Sequence, residues 1–175
     1  MKGISMALRE VIKMPNRNLR RISHAVTEFG SDFQQLVEDM IETMRDEPGV
    51  GLAAPQVNVP LQLIVVEYPE DDGVEEAEPK LFVVANPELK EVSEETEMGI
   101  EGCLSVPNLV GNVERSVKVT VEGVDRKGKK QIIRAKGWLA RIFQHEIDHI
   151  HGTLFVDKAI ELYESQQIEA DATRV

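Results

Sequence analysis

The sequence predicts an α+β fold, with mainly antiparallel β-sheets packed around a central helix. Short β-rich segments follow one another across turns, as they do in hairpins, and other segments have the apolar spacing of helices. Strands and helices do not alternate regularly, which argues against a parallel α/β sheet. The 175 residues are 42% hydrophobic and 29% charged, which predicts a single globular domain over 1–175.

The first predicted helix begins at Ser31, a candidate N-cap, and ends near Arg45. Its apolar residues recur at the i, i+3, i+4 and i+7 positions of one buried face. The segment 48–56 follows it and contains two glycines and two prolines. That composition favours an ordered loop over a helix or a long strand.

Two hairpins are predicted in the middle of the chain. The β-rich runs 61–67 and 80–86 lie on either side of an acidic loop near 69–79. The runs 117–124 and 131–135 are separated by a turn sequence that contains glycine. Both pairs of runs have the length of short strands, so we expect antiparallel pairing within each.

Two helices are predicted toward the C-terminus. Gly137 opens a helix that runs from Trp138 to about Ile150 and ends at Gly152. A short C-terminal helix is predicted near 157–170 from apolar residues at helical spacing.

The net charge of −11 comes from one part of the chain. Residues 67–101 contain 13 acidic residues against two lysines, while the rest of the chain is balanced. The acidic surplus argues against DNA or an anionic membrane as a non-specific partner. Cys103 is the one cysteine, so an internal disulfide is excluded. The N-terminus has no signal-like apolar core, and we expect a cytoplasmic protein.

The strongest functional signal is the pattern His145-Glu146-Ile147-Asp148-His149 on the helix that begins near Gly137. Histidines at i and i+4 lie one turn apart on the same face, so both imidazoles can bind one metal ion. The glutamate beside the first histidine is then placed to take a proton from a water molecule. The alternative is a polar helix face that shows two histidines by chance. The apolar residues around the pair argue against it, because buried histidines need partners.

A third metal ligand is needed, and the residues leave two candidates. Cys103 follows a glycine, which allows close backbone approach, and a thiolate suits iron, cobalt or zinc. Glu169 would instead give the ligand set of a zincin-type metallopeptidase, although it lies in a polar C-terminal stretch.

Three short motifs occur without gaps along the chain: Gly49-Val50-Gly51-Leu52-Ala53-Ala54-Pro55-Gln56, Glu101-Gly102-Cys103-Leu104-Ser105 and Gln144-His145-Glu146-Ile147-Asp148-His149. In this order they resemble the motifs of peptide deformylase. The segment from Ile12 to Arg20 resembles the N-terminal strand and turn of that family. The resemblance implies an α+β fold whose antiparallel sheets surround a central metal-binding helix.

The resemblance also implies a metal site and a reaction. Cys103, His145 and His149 would bind one divalent metal ion, with Fe²⁺ favoured and Zn²⁺, Ni²⁺ or Co²⁺ tolerated. The reaction would be hydrolysis of the N-formyl group from the initiator methionine of a nascent polypeptide, with release of formate.

Three residues would take part in that chemistry. Glu146 would act as the general base, and the side chain of Gln56 and the backbone N–H of Leu104 would stabilise the oxyanion.

The resemblance further implies that the substrate binds as an added strand along Gly51. An apolar pocket for the methionine side chain would be lined by Val50, Glu101, Trp138 and Ile142. Ordinary core packing is the alternative explanation for these four residues, since pockets and cores use the same residue types.

Further expectations concern partners and the support of the metal helix. Asp148 is expected to pair with Arg115 and so to fix the metal-binding helix. A transient contact with the ribosome is expected; because residues 157–175 are short and acidic, the basic stretches 1–24 and 114–141 are the candidate surfaces for it. A zincin-type peptidase and a non-enzymatic binding protein are the alternative functions.

Overall fold

The computed structural model describes residues 7–71 and 76–166. Within these residues α1 spans Ser31–Asp46 and α2 spans Gly137–Ile150. The strands are β1 Gly51–Ala53, β2 Leu63–Tyr68, β3 Lys80–Val92, β4 Thr96–Cys103, β5 Val106–Ser116, β6 Lys118–Val124, β7 Lys130–Lys136 and β8 Glu161–Glu164. Among the described segments, no helix is long and apolar enough to cross a membrane.

The strands form two sheets in which every neighbouring pair is antiparallel. One sheet has the order β1-β2-β3-β6-β7, and the other has the order β4-β5-β8. The predicted α+β class with antiparallel sheets is therefore confirmed. β1 and β4 each lie at the edge of their sheet, which leaves one side of each strand open to a further strand.

Helices cover both faces of the five-stranded sheet. Alternate residues of β2 point in opposite directions, as they do in any strand. Ile64 and Val66 pack with α2, whereas Leu63 and Val65 pack with α1. All four side chains are fully buried, which explains why β2 has a continuous apolar run rather than an alternating one. Because α2 is buried along nearly its whole length, it lies at the centre of the molecule.

Both predicted hairpins are confirmed. β2 pairs with β3 across the predicted acidic loop, of which residues 72–75 lie outside the described part of the chain. β6 pairs with β7 across a turn in which the Asp125 carboxylate accepts the backbone N–H groups of Lys127 and Lys129. The first predicted helix is also confirmed, although Gly30 rather than Ser31 is its N-cap.

Two other predictions need correction. The segment 48–56 contains the short strand β1 and the start of a 3₁₀ turn at Ala54–Val57 rather than loop alone. The segment that begins at Ile12 belongs to none of the eight strands, and it makes isolated backbone hydrogen bonds instead.

The predicted C-terminal helix is wrong for residues 161–164, which form β8 and pair with β5. Gly111 of β5 explains the difference, because a Cβ there would lie 3.0 Å from a methyl group of Leu162 and 2.7 Å from Ala159. The missing side chain lets the C-terminal segment pair closely with β5. Residues 165–166 are helical, and the part of the predicted helix from 167 onward lies outside the described residues.

Candidate active site

The second helix and the end of β4 bring together three side chains that could hold a metal ion. His145 and His149 lie one turn apart on α2, and Cys103 is the last residue of β4. The ligand atoms of the three residues all lie within 4.8 Å of one another. Cys103 Sγ is 3.3 Å from His149 Nε2. One sulfur and two imidazole nitrogens form a donor set that suits a divalent transition metal, and three protein ligands leave a position for a reactant.

A hydrogen bond orients His145, and burial keeps His149 neutral. His145 Nδ1 lies 2.9 Å from Glu101 Oε2, which directs its Nε2 toward the cluster. His149 is 1% exposed, and burial lowers its pKa well below the usual value. The ring of His149 is therefore neutral at physiological pH, which is the form that binds a metal ion.

Glu101 lies at the centre of a buried ion-pair network. Its two oxygens accept hydrogen bonds from Arg115 at 2.8 and 2.9 Å and from Arg141 at 2.9 Å, in addition to the contact with His145. Burial alone would raise the pKa of Glu101, but the hydrogen bonds and the charge of Arg115 hold that pKa far below its usual value. The carboxylate therefore stays ionised and remains a hydrogen-bond acceptor for His145 Nδ1.

Asp148 extends this network along α2. Arg115 Nη1 donates to Asp148 Oδ2 at 2.6 Å, so the expected pair of these two residues is present. Lys158 Nζ donates to the other Asp148 oxygen at 2.8 Å. The metal-binding helix is thus tied by ion pairs to β5 and to the segment that follows α2.

Glu146 is buried beside the candidate metal ligands, and no salt bridge to it occurs among the described residues. It is 5% exposed, and its Oε2 has no hydrogen-bond partner among the described residues. Burial raises the pKa of Glu146 to about 7. A carboxyl group with this pKa can accept and return a proton near neutral pH, as a general base must.

Gln56 also points toward the cluster. Its Oε1 accepts the Ala53 N–H at 2.9 Å, which fixes the amide group. Its Nε2 donates to Ser105 Oγ at 3.2 Å and lies 3.5 Å from Cys103 Sγ. Leu104 lies in the turn between β4 and β5, directly after Cys103. The two expected oxyanion donors are therefore carried by two loops on either side of Cys103.

A cavity of about 530 Å³ opens over these residues. Its walls come from the edge strands β1 and β4 and from α2. Ile142 forms a buried wall, whereas Val50 and Trp138 are 42% and 39% exposed at the rim. Gly51 and Glu101 also line the cavity, although the Glu101 carboxylate is held in its ion pairs.

The structure therefore brings all the predicted site residues to one place, except for the alternative ligand Glu169, which lies outside the described residues. Sequence reasoning missed Arg141, which is 5% exposed and lies one helical turn before His145. An arginine on the buried face of a helix was the signal, since a buried guanidinium needs partners. Those partners are Glu101 and the backbone oxygens of Glu97 and Val113.

A buried carboxyl group beside a cysteine and two histidines is typical of a metal-dependent hydrolase. Comparison with known proteins gives the family. A sequence model described as polypeptide deformylase matches residues 8–165. The chain belongs to the polypeptide deformylase family, and the resemblance of its three motifs is thereby confirmed. Members of this family hydrolyse the N-formyl group from the initiator methionine of nascent polypeptides in a metal-dependent reaction, so this chain is an enzyme of that kind.

Individual relatives agree with this assignment. The chain is 47% identical over 157 residues to peptide deformylase of Symbiobacterium thermophilum, and the aligned region covers 90% of this chain and 69% of the relative. It is 44% identical over 164 residues to peptide deformylase 1 of Bacillus cereus, covering 94% of this chain and 100% of the relative. A crystal structure of peptide deformylase from Acinetobacter baumannii with Met-Ala-Ser bound has a TM-score of 0.81 and 36% identity, covering 88% of this chain and 99% of that one.

Proposed function

We propose that Cys103, His145 and His149 hold the catalytic metal and that Glu146 is the general base for deformylation. The observation that carries this proposal is the close grouping of the three ligand atoms beside a buried carboxylate oxygen without a partner. A divalent metal ion held by these three residues would supply a Lewis acid for the reaction. The thiolate of Cys103 softens that acidity, so more of the work of activating water falls to Glu146.

Glu146 accepts one proton early in the reaction and donates it again later. Its carboxylate first takes a proton from the water molecule whose oxygen attacks the formyl carbon. The C–N bond of the formamide then breaks, and Glu146 returns the proton to the leaving amine. Formate and a peptide with a free N-terminal methionine are the products. The raised pKa of Glu146 suits both steps, because neither proton transfer is then strongly uphill.

Gln56 and Leu104 stabilise the negative charge that develops on the formyl oxygen. The amide of Gln56 is fixed before the substrate arrives, because Ala53 donates to its oxygen and Ser105 accepts from its nitrogen. Fixed donors of this kind lower a barrier more than mobile ones, since they need no reorganisation during the reaction.

The substrate peptide binds as a strand between the two open sheet edges. Gly51 of β1 and the end of β4 both line the cavity, and each strand is the last of its sheet. Main-chain hydrogen bonds give affinity without regard to sequence, as a processing enzyme requires. Ile142, Trp138 and Val50 would surround the methionine side chain. The Met-Ala-Ser peptide in the structure of the Acinetobacter baumannii relative supports this type of ligand.

The activity test uses formyl-Met-Ala-Ser as substrate under anaerobic conditions, with formate release as the readout. We expect the wild-type protein to release formate, whereas Glu146→Gln should keep its metal but only a small residual activity. Fully retained activity in Glu146→Gln would contradict the role of that residue as base. A metal-loaded wild-type protein that releases no formate would contradict the proposed function.

Fe²⁺ is the proposed native metal, because a thiolate and two imidazoles suit it and the family typically uses it. Metal analysis of protein purified without oxygen tests this, followed by reconstitution with Fe²⁺, Zn²⁺, Ni²⁺ or Co²⁺. Zinc as the metal of the most active anaerobic preparation would count against iron.

We infer that the protein acts in the cytoplasm on nascent chains and contacts the ribosome transiently. Arg20 forms a two-point ion pair with Asp157, so its charge is partly neutralised within the fold. Arg17 and Arg21 are therefore the better choice for testing the basic N-terminal surface. Arg17→Glu with Arg21→Glu should weaken co-sedimentation with ribosomes, and unchanged co-sedimentation would exclude this surface.

A further inference from the structure

Residues 7–14, here called the N-terminal strap, contact both loops that carry the proposed oxyanion donors. The backbone N–H of Ile12 donates to the backbone oxygen of Gln56 at 2.8 Å. The backbone N–H of Met14 donates to the backbone oxygen of Ser105 at 2.9 Å. Ser105 is the residue directly after Leu104. One bond of the strap thus ends on Gln56, a proposed oxyanion donor, and the other ends on the neighbour of Leu104, the second proposed donor.

The two loops are also bonded to each other. Gln56 Nε2 donates to Ser105 Oγ at 3.2 Å, and Ser105 is fully buried. The strap, the Gln56 loop and the Leu104 loop therefore form a closed ring of three hydrogen bonds. A ring of this kind fixes the separation of the two loops, which no single contact could do.

The other end of the strap is anchored far along the chain, on α1. Arg9 N donates to Thr43 Oγ1 at 2.9 Å, and Ala7 N donates to Asp39 Oδ1 at 3.1 Å. Val11 lies between the two ends and is 7% exposed in the core that α1 forms with the five-stranded sheet. The strap is therefore held on α1 at one end, and at the other end its two N–H groups bind the backbone of the two loops.

We propose that the N-terminal strap is a positioning element that sets the distance between the Gln56 and Leu104 oxyanion donors. This inference rests on the proposed function of those two residues. Donors must lie within a few tenths of an ångström of their productive position to stabilise a developing oxyanion fully. Loosening either loop should therefore slow the chemical step more than it weakens substrate binding.

The test replaces the Ile12 amide by an ester, using the α-hydroxy analogue of isoleucine, so that the side chain is kept and the N–H donor is lost. Removing an oxyanion donor outright costs about 10² to 10³ in kcat. Here the Gln56 side chain stays present but is held less firmly, so we expect kcat to fall about tenfold. KM and metal content should stay close to those of the wild-type protein.

Thr43→Val is the matched control, because it removes the acceptor of the Arg9 N–H at the other end of the same strap. The ester removes one hydrogen bond, whereas Thr43→Val removes the bond from the Arg9 N–H and also the bond from Thr43 Oγ1 to the backbone oxygen of Asp39, so both changes should lower the melting temperature. Only the ester should lower kcat. Equal losses of kcat in the two proteins would show a general effect of stability and would overturn the inference, as would an unchanged kcat in the ester.

A second readout isolates the oxyanion itself. A thioformyl peptide presents sulfur, a weak hydrogen-bond acceptor, where the formyl oxygen would be. The ratio of the rate for the formyl peptide to the rate for the thioformyl peptide should become smaller in the Ile12 ester and stay unchanged in Thr43→Val. Because the two variants keep the same metal site, a difference between them reports on the oxyanion donors. An undiminished ratio in the ester would refute the positioning role while leaving the proposed function intact. Failure of the wild-type protein to release formate would overturn both.

Discussion

Replacing Gly51 by alanine should displace the proposed general base. A Cβ at position 51 would lie 2.5 Å from Glu146 Oε1 and 2.9 Å from both Cδ and Cγ of that residue. Ordinary contacts of a Cβ begin at 3.4 Å. The carboxylate must therefore shift by about 1 Å to restore an ordinary contact distance.

The size of the effect follows from this shift. A misplacement of about 1 Å in a catalytic group can cost roughly 10²-fold in rate, which corresponds to about 2.7 kcal/mol of activation free energy. Gly51 does not lie in the left-handed region of backbone conformation, so alanine is permitted there by the backbone. We expect Gly51→Ala to fold and bind metal, and to hydrolyse formyl-Met-Ala-Ser with a kcat about 100-fold below wild type.

Two comparisons separate displacement of the base from other effects. Gly30→Ala is the control, since a Cβ at position 30 meets nothing within 4 Å and lies outside the cavity. Its kcat should equal that of the wild-type protein. Adding Gly51→Ala to Glu146→Gln should cause no further loss, because the base is already gone. A near-normal kcat in Gly51→Ala, or a further large loss in the double variant, would refute the reasoning.

Three further outcomes are expected from the side chains around the site and from α1. Cys103→Ser should lose its metal on dialysis, measured by elemental analysis, and full retention would point to a different third ligand. Arg115→Met leaves Glu101 without its main partner, so it should lower metal retention and reduce the free energy of unfolding by about 3–5 kcal/mol in denaturant titrations. Burial alone would raise the pKa of Asp39, but hydrogen bonds, including that from Arg9, lower it below its usual value. Its contribution to stability is therefore complete above an unfolded pKa of about 3.9 and is lost as the pH falls through the folded value. Asp39→Asn should make the unfolding free energy less dependent on pH in that acidic range, and an unchanged dependence would contradict this assignment.

Local patterns in the sequence predicted the parts of the site that lie on one element. His145, Glu146 and His149 are related by helical geometry alone, so their mutual placement follows once the helix is predicted. Cys103 is different, because its approach to His149 depends on how β4 docks against α2. The residues themselves left Cys103 and Glu169 as alternative third ligands, and only the resemblance to a known family favoured Cys103.

The corrections share a physical cause, which is pairing between segments far apart in sequence. The segment 161–164 has apolar spacing that suits a helix. Because Gly111 has no side chain, this segment can pair closely with β5, and it forms a strand of the smaller sheet. The partners of Arg141 likewise lie on two strands, β4 and β5, that are distant in sequence from its helix. Neither contact leaves a periodic signal in the chain, so neither could be predicted from local pattern.

The ion pairs around Glu101 explain how two separate sheets make one active site. Cys103 belongs to the three-stranded sheet, whereas Gln56 follows an edge strand of the five-stranded sheet, and both must meet α2 in register. Arg141 donates from α2 to backbone oxygens of β4 and β5, and Arg115 donates from β5 to Asp148 of α2. Apolar packing alone is tolerant of small sliding movements, because it is not directional. Hydrogen-bonded charges fix both direction and distance, and buried charges left unpaired would be costly. The network therefore sets the position of β4 on α2 closely enough to bring the sulfur of Cys103 and the ring nitrogens of the two histidines within 4.8 Å of one another, as the proposed metal site requires.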